Sequence, residues 1–282
     1  MSRIGNQFKT VVLLALLTAL MLWAGDALGG RQGLYIALAI VLVMNLGTYW
    51  FSDRIVLAMY RAQPVKKKDA SELYEIVEEV RKKAKLPMPK VYVIPTESPN
   101  AFATGRNPKH AAVACTEGIL RLLSKEELKG VIAHEISHIK NRDTLIQVVA
   151  ATIAGVISYL ALFARYAAIF GGGRDRDNRG LELLALAILT PIIAMIIQLA
   201  ISRSREYLAD ATAAKTLQNS EHLASALRKL QMGISHRPLR FGSPSTSSIF
   251  IANPFSSSGM LALFSTHPPM EERIKKLKEI RF

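Results

Sequence analysis

His134 and His138 are four residues apart, one turn apart on the same face of an α-helix, where both imidazoles can reach a single metal ion. Glu135 stands between them, placed to take a proton from a water at that metal. Many spacings can hold a metal, but His-Glu-x-x-His also supplies a general base. The plain alternative is a surface helix with two solvated histidines, and the neighbouring sequence argues against it. A catalytic zinc keeps three protein ligands and one open position. Glu206 is the candidate third ligand. Glu206 and Asp210 are again four apart, so one can bind metal while the other hydrogen-bonds the far nitrogen of a ligand histidine. Asp143 is a second candidate for that outer role. Without the histidine motif, Glu206 and Asp210 would read as two solvated helix charges.

These residues need a helix to hold them. Ser124-Lys125-Glu126-Glu127 is a capping box: the serine hydroxyl caps the helix start and Glu127 folds back on the cap. Leu128, Val131, Ile132, Ile136 and Ile139 then recur at helical spacing through the motif. Upstream, residues 69–85 read as an amphipathic helix with Leu73, Ile76, Val77 and Val80 on its apolar face. Residues 90–94 and 110–115 read as strands. Between them Asn100, Ala101, Phe102, Ala103 and Thr104 form a short extended piece flanked by turn residues. An exposed strand beside a metal helix can take an extended peptide on its edge, which makes Asn100, Ala101, Phe102 and Ala103 candidate substrate-binding residues. The same pattern is equally an ordinary hairpin arm. Further helices are expected near 221–232 and over 270–280, with an irregular loop over 237–258 between them. Cys115, the sole cysteine, reads as a packed strand residue and fits a reducing compartment.

The chain has 282 residues, 50% of them hydrophobic, and the apolar ones gather in four blocks at residues 10–23, 34–51, 145–170 and 181–201. The last three are long enough to cross about 30 Å of hydrocarbon. The first is shorter and follows Arg3 and Lys9; a secretory signal is the alternative to a retained span. His134 and His138 precede the third block and Glu206 follows the fourth. Both parts meet at one metal only if the two blocks between them return the chain to the same side, as a helical hairpin turned at Gly171-Gly172-Gly173 and kinked at Pro191. His138 is about 10 Å of helix from Leu145, so the metal belongs just outside the bilayer surface. The formal net charge is +14, yet no base-reading motif accompanies it, so a nucleic-acid partner is not expected. Arg3 and Lys9 precede the first block and Arg54, Arg61, Lys66, Lys67 and Lys68 follow the second, while only Asp26 and Arg31 lie between. The positive-inside rule then puts both soluble segments and both termini in the cytoplasm. The expected organisation is mainly α with a small β-sheet. Residues 1–51 supply two transmembrane helices, 145–201 a transmembrane hairpin, and 52–144 with 202–282 one discontinuous soluble domain that carries the metal site.

Residues 100–105, Thr116-Glu117-Gly118-Ile119-Leu120, 134–143, 202–210 and 265–274 occur in the order seen in HtpX-like membrane zinc metalloproteases, relatives of the type 1 CAAX prenyl proteases. The resemblance covers nearly the whole chain. It implies a polytopic membrane protein with a gluzincin-type domain, one zinc per chain held by His134, His138 and Glu206, and Glu135 as base. It further implies cleavage of unfolded or damaged membrane proteins at the cytoplasmic face of a bacterial or archaeal cell membrane, in stress response and quality control. It sets His267 beside the metal, where it can steady the tetrahedral intermediate; capping the Pro268-Pro269 turn is the alternative. Arg203 and Arg205 are further candidates near the oxyanion. Two other functions use the same residues. A prenyl-protein protease would enclose its site in a larger set of membrane helices than four blocks provide. A scaffold with structural zinc would close the metal with four ligands, usually including cysteine.

Overall fold

The computed structural model describes residues 3–150, 152, 203–239, 241, 244–253 and 268–282. Most of the third apolar block, the whole fourth block with its Gly171–Gly173 turn and Pro191, and His267 lie outside the described residues. The first two apolar blocks form α1, Arg3–Met59, which is broken at Gly30 (φ 57°, ψ −144°), a backbone conformation suited to glycine, and has a second irregular residue at Phe51. The two arms lie side by side: Asn45 Nδ2 donates to Thr18 Oγ1 at 3.0 Å, and Leu13 and Leu17 pack with Val41. The second arm, Gly29–Met59, is long and apolar enough to cross a membrane. Its Tyr35, Ile36, Val43 and Leu46 are exposed, unlike the side chains of a soluble core helix. The helix runs on past the boundary drawn at residue 51 and ends among the residues of the sheet.

The sheet has four strands in the order β1-β2-β4-β3: β1 (Gln63–Pro64), β2 (Lys90–Ile94), β3 (Ala101–Gly105) and β4 (Ala111–Thr116). β2 and β4 are parallel, and β3 lies antiparallel to β4 with Phe102 opposite Ala114. Alternation along the strands splits their side chains between two cores. Val91, Ala101, Ala103, Val113 and Cys115 face a helical layer. Ile94, Phe102, Ala112 and Ala114 face Val56, Leu57 and Tyr60 at the end of α1. Both faces are therefore dry, and all of β3 and β4 is buried. The expectation of an exposed strand at Asn100–Thr104 is corrected here. β3 is the edge of the sheet, but it is covered, and part of its outer edge is taken by the chain itself. That cover comes from the stretch expected to be an irregular loop, which carries a 3₁₀ turn at Pro244–Ile249 and then bridges Phe250 to Phe102.

The helical layer holds α2 (Ser71–Ala84), α3 (Glu117–Leu122), α4 (Lys125–Asn141), α5 (Arg203–Leu217), α6 (Glu221–His236) and α7 (Met270–Lys278). α4 is the central element, packed on α2, α5, α6 and β3. Its capping box forms as the sequence suggests. A Cβ on Gly130 would come within 2.6 Å of the Leu223 backbone nitrogen, so glycine there permits α4 and α6 to approach closely. Beyond α4 the chain turns at Arg142, and residues 144–150 are helical again, with Ile146, Val149 and Ala150 packed on α1.

Candidate metal centre

α4 presents His134, Glu135 and His138 on its buried face, and α5 brings Glu206 and Asp210 against them. His134 Nε2 and His138 Nε2 are 3.0 Å apart; His134 Nε2 lies 3.5 Å from Glu206 Oε2 and His138 Nε2 lies 3.5 Å from Glu206 Oε1. Tetrahedral bonds of about 2.0–2.1 Å to one metal would separate donor atoms by about 3.3–3.4 Å. The 3.0 and 3.5 Å separations lie on either side of that spacing, and the three residues form the group of His and carboxylate side chains able to hold a metal among the described residues, with one donor atom of each within 4.8 Å of the others.

The outer nitrogens explain why these donors face inward. Asp210 Oδ1 lies 2.8 Å from His134 Nδ1, and both oxygens of Asp143 lie 3.1 Å from His138 Nδ1. With each Nδ1 proton held by a carboxylate, both Nε2 lone pairs point at the same small volume. Two lone pairs 3.0 Å apart repel unless a cation stands between them. The electrostatics show the same demand. Burial opposes charge on His138, but Asp143, Glu206 and Glu135 outweigh it and push its pKa up to about 10. Burial likewise opposes charge on His134, and Asp210 and Glu206 reverse the balance. The site calls for positive charge at the point where the three donors converge.

Glu135 is 1% exposed, and burial raises the pKa of its carboxyl, offset in part by the two histidines and by the Ala103 backbone. Its Oε1 has no hydrogen-bond partner, an uncommon state for a buried carboxylate oxygen. A group left free in this way is available to a reactant. Its neighbour Ala103 belongs to β3, so the strand and the acid meet at the metal cluster.

The sequence reading missed what stands behind Asp210. Arg273 of α7 is fully buried and grips Asp210 with two bonds, Nε to Oδ2 at 2.9 Å and Nη2 to Oδ1 at 2.7 Å. Its Nη1 donates to the Ile251 carbonyl at 2.9 Å and lies 3.4 Å from Glu206 Oε2. Arg273 lies in the stretch 265–274 that also carries His267. An arginine on the apolar face of an otherwise solvated helix was the available signal. Arg205 is also buried, its charge facing Asp143 and Glu206 while burial pulls its pKa down. Arg203 starts α5. Asn100 is buried and donates from Nδ2 to the Ala252 carbonyl at 2.8 Å, a structural tie at the start of β3. Cys115 is a buried strand residue whose thiol is pushed far up by burial.

Residues 67–281 match the model of peptidase family M48. The chain is 56% identical over 281 residues to a protease HtpX homolog of Syntrophobacter fumaroxidans, a match covering 98% of this chain and 100% of that one. It is 53% identical over 279 residues to a protease HtpX homolog of Pyrococcus furiosus, covering 98% and 96%. Its fold is similar to the crystal structure of S. mikatae Ste24p, with TM-score 0.53 and 21% identity, over 97% of this chain and 66% of that one. At that identity the likeness concerns the fold alone, and this chain spans just under two thirds of that protein's length. A helix carrying two histidines and a buried glutamate with one free carboxylate oxygen, the family match and the near full-length identities lead to one conclusion: the chain belongs to peptidase family M48 and is a metallopeptidase, a hydrolase of peptide bonds.

Proposed function

We propose that the protein is a membrane-bound zinc endopeptidase of the gluzincin type, acting at the cytoplasmic face on unfolded or damaged membrane proteins. The observation that carries this is one cluster: donor atoms of His134, His138 and Glu206 within 4.8 Å of one another, with the free Oε1 of Glu135 beside them. Two imidazole nitrogens and a carboxylate oxygen are a catalytic zinc set, and three ligands leave a position open. Structural zinc would require a fourth ligand, and the described residues bring none to the cluster. The bound metal would supply an acidified water and polarisation of the peptide carbonyl. Glu135 takes the proton of the attacking water and returns it to the leaving amine; its raised pKa suits both transfers. Asp210 and Asp143 hold His134 and His138 with Nε2 toward the metal. His267 remains the proposed stabiliser of the intermediate. The apolar arm Gly29–Met59, with outward-facing side chains, supports the membrane reading.

The test is cleavage of an unfolded membrane protein by the zinc-loaded enzyme in lipid, compared with Glu135→Gln. Loss of the base should slow cleavage by about a hundredfold or more, with zinc still bound. Equal cleavage by the two forms would remove Glu135 from the mechanism.

A further inference from the structure

The outer edge of β3 is occupied by the chain's own residues in the manner of a bound peptide. The Asn100 carbonyl accepts from Thr116 N at 2.9 Å, which turns it toward β4. In an antiparallel ladder the next carbonyl faces the other way. That outward carbonyl, of Ala101, accepts from Ile251 N at 3.0 Å, and Phe250 bridges Phe102 in the antiparallel sense. The outward carbonyl of Gly105 accepts from Thr144 Oγ1 at 2.7 Å. Ala103, beside Glu135, lies between these two caps. Residues 250–252 are thus a strap, antiparallel to β3, that ends next to the metal cluster.

The direction of β3 relative to α1 is also determined. Phe102 packs against Tyr60, just past the end of α1, with ring centroids 5.9 Å apart. Arg106, just beyond β3, donates to the Trp50 carbonyl at 3.1 Å and stacks 4.7 Å above its ring. From Phe102 to Arg106 is about 13 Å of strand, and from Tyr60 back to Trp50 about 15 Å of helix. The strand therefore runs alongside the helix arm and opposite to it, with its Gly105 end toward the apolar part of α1. Thr144, at the other cap, begins the helical stretch that packs on the same arm.

Resting on the proposed peptidase reading, we infer that an extended substrate displaces the strap 250–252 and takes both its place on β3 and its antiparallel direction. The N-terminal side of the substrate then lies toward the bilayer and its C-terminal side away from it. The preferred substrate is a segment that follows a membrane span in sequence, on the side of the soluble domain. Because β3 is buried along its whole length, the peptide can pair with it only when the strap leaves.

Two measurements on the full-length, zinc-loaded protein in proteoliposomes test this. The first uses two single-span substrates carrying the same unstructured segment on the side of the soluble domain, either directly after or directly before the span. A soluble unfolded polypeptide serves as a third. Cleavage of the segment after the span should be faster by about tenfold or more, the effect of losing one or two strand hydrogen bonds in the transition state. Equal or reversed rates, with the soluble polypeptide cleaved, would overturn the direction while the peptidase reading stands. No cleavage of any of the three would sink the peptidase reading itself. The second joins the strap to the strand in an Ala101→Cys, Ile251→Cys double variant with Cys115 replaced by serine. Oxidation should abolish cleavage and reduction restore it. Undiminished cleavage in the oxidised form would show that the strap need not move.

Discussion

Asp210 can orient His134 only while it stays ionised inside the protein. Burial works against that, and the Arg273 guanidinium outweighs it, holding the Asp210 pKa below the usual carboxylate range. The two bonds from Arg273 also set the carboxylate plane, so the oxygen facing His134 Nδ1 has one position. Lysine offers a point charge instead of a planar fork and cannot hold both Asp210 oxygens and the Ile251 carbonyl at once. Arg273→Lys and Asp210→Asn should each weaken zinc retention by about 10–100-fold, the usual effect of losing a partner behind a ligand histidine. Competition against a chelator measures this. Unchanged affinity in Arg273→Lys would mean that Asp210 needs no fixed partner. Arg273→Ala is less informative, because an unpaired buried Asp210 costs about 3–5 kcal/mol and threatens the fold.

α4 carries the metal-facing residues, and its start is pinned by Glu127. That side chain accepts from Ser124 N, from Ser225 Oγ and from Lys229 Nζ, each at 2.8 Å, which ties the helix start to α6. Burial opposes its charge, but the donors, Lys229 foremost, lower its pKa to about 2 from an ordinary 4.5. A depressed carboxylate pKa contributes stability that is whole above the unfolded value and is lost as pH falls toward the folded one. Glu127→Gln should therefore unfold at lower temperature than wild type at neutral pH. The gap should close as pH falls from about 4.5 toward 2. Thermal unfolding in detergent, followed by circular dichroism, reads both. A gap that stays constant down to pH 3 would show that Glu127 does not act through its charge. The capping half of this arrangement was readable because Ser124 and Glu127 are neighbours on one turn. Ser225 and Lys229 were not, since nothing in a local pattern names a partner on another helix.

The sheet joins the membrane arm to the metal cluster. Tyr60, Phe102 and Phe250 stack as one buried aromatic seam, with centroids 4.8 Å apart for Tyr60 and Phe250 and 5.3 Å for Phe102 and Phe250. Tyr60 also hydrogen-bonds Thr246, which ties the segment leading into the strap to the end of α1. On the proposed membrane reading, a domain docked on the helix end in this way would lie on one side of the bilayer. With Cys115 replaced, single cysteines at Lys67, Asn141 and Lys215 should resist an impermeant thiol reagent in intact cells and react after lysis. A cysteine at Gly29, at the turn between the arms of α1, should react from outside. Labelling at Lys67 and Lys215 in intact cells would invert the proposed orientation.

His134, Glu135 and His138 could be recognised from spacing because a helix of fixed pitch puts residues four apart on one face whatever surrounds it. The pairing of Glu206 with Asp210, the capping box and the two apolar arms of α1 follow from the same short-range geometry. The assignment of Asp210 to His134 and of Asp143 to His138 did not follow from it. It depends on how α5 packs against α4, and either carboxylate satisfied the pattern. Alternation in β3 indicated two faces but not what covers them, so the strand was expected to be exposed when both faces and part of its edge are closed. Arg273 was overlooked because a guanidinium on a charged helix looks solvated until the fold seals it beside a carboxylate 63 positions away. Contacts within a turn are set by the geometry of the backbone, whereas contacts between distant segments exist only after burial has selected among many partners of similar chemistry.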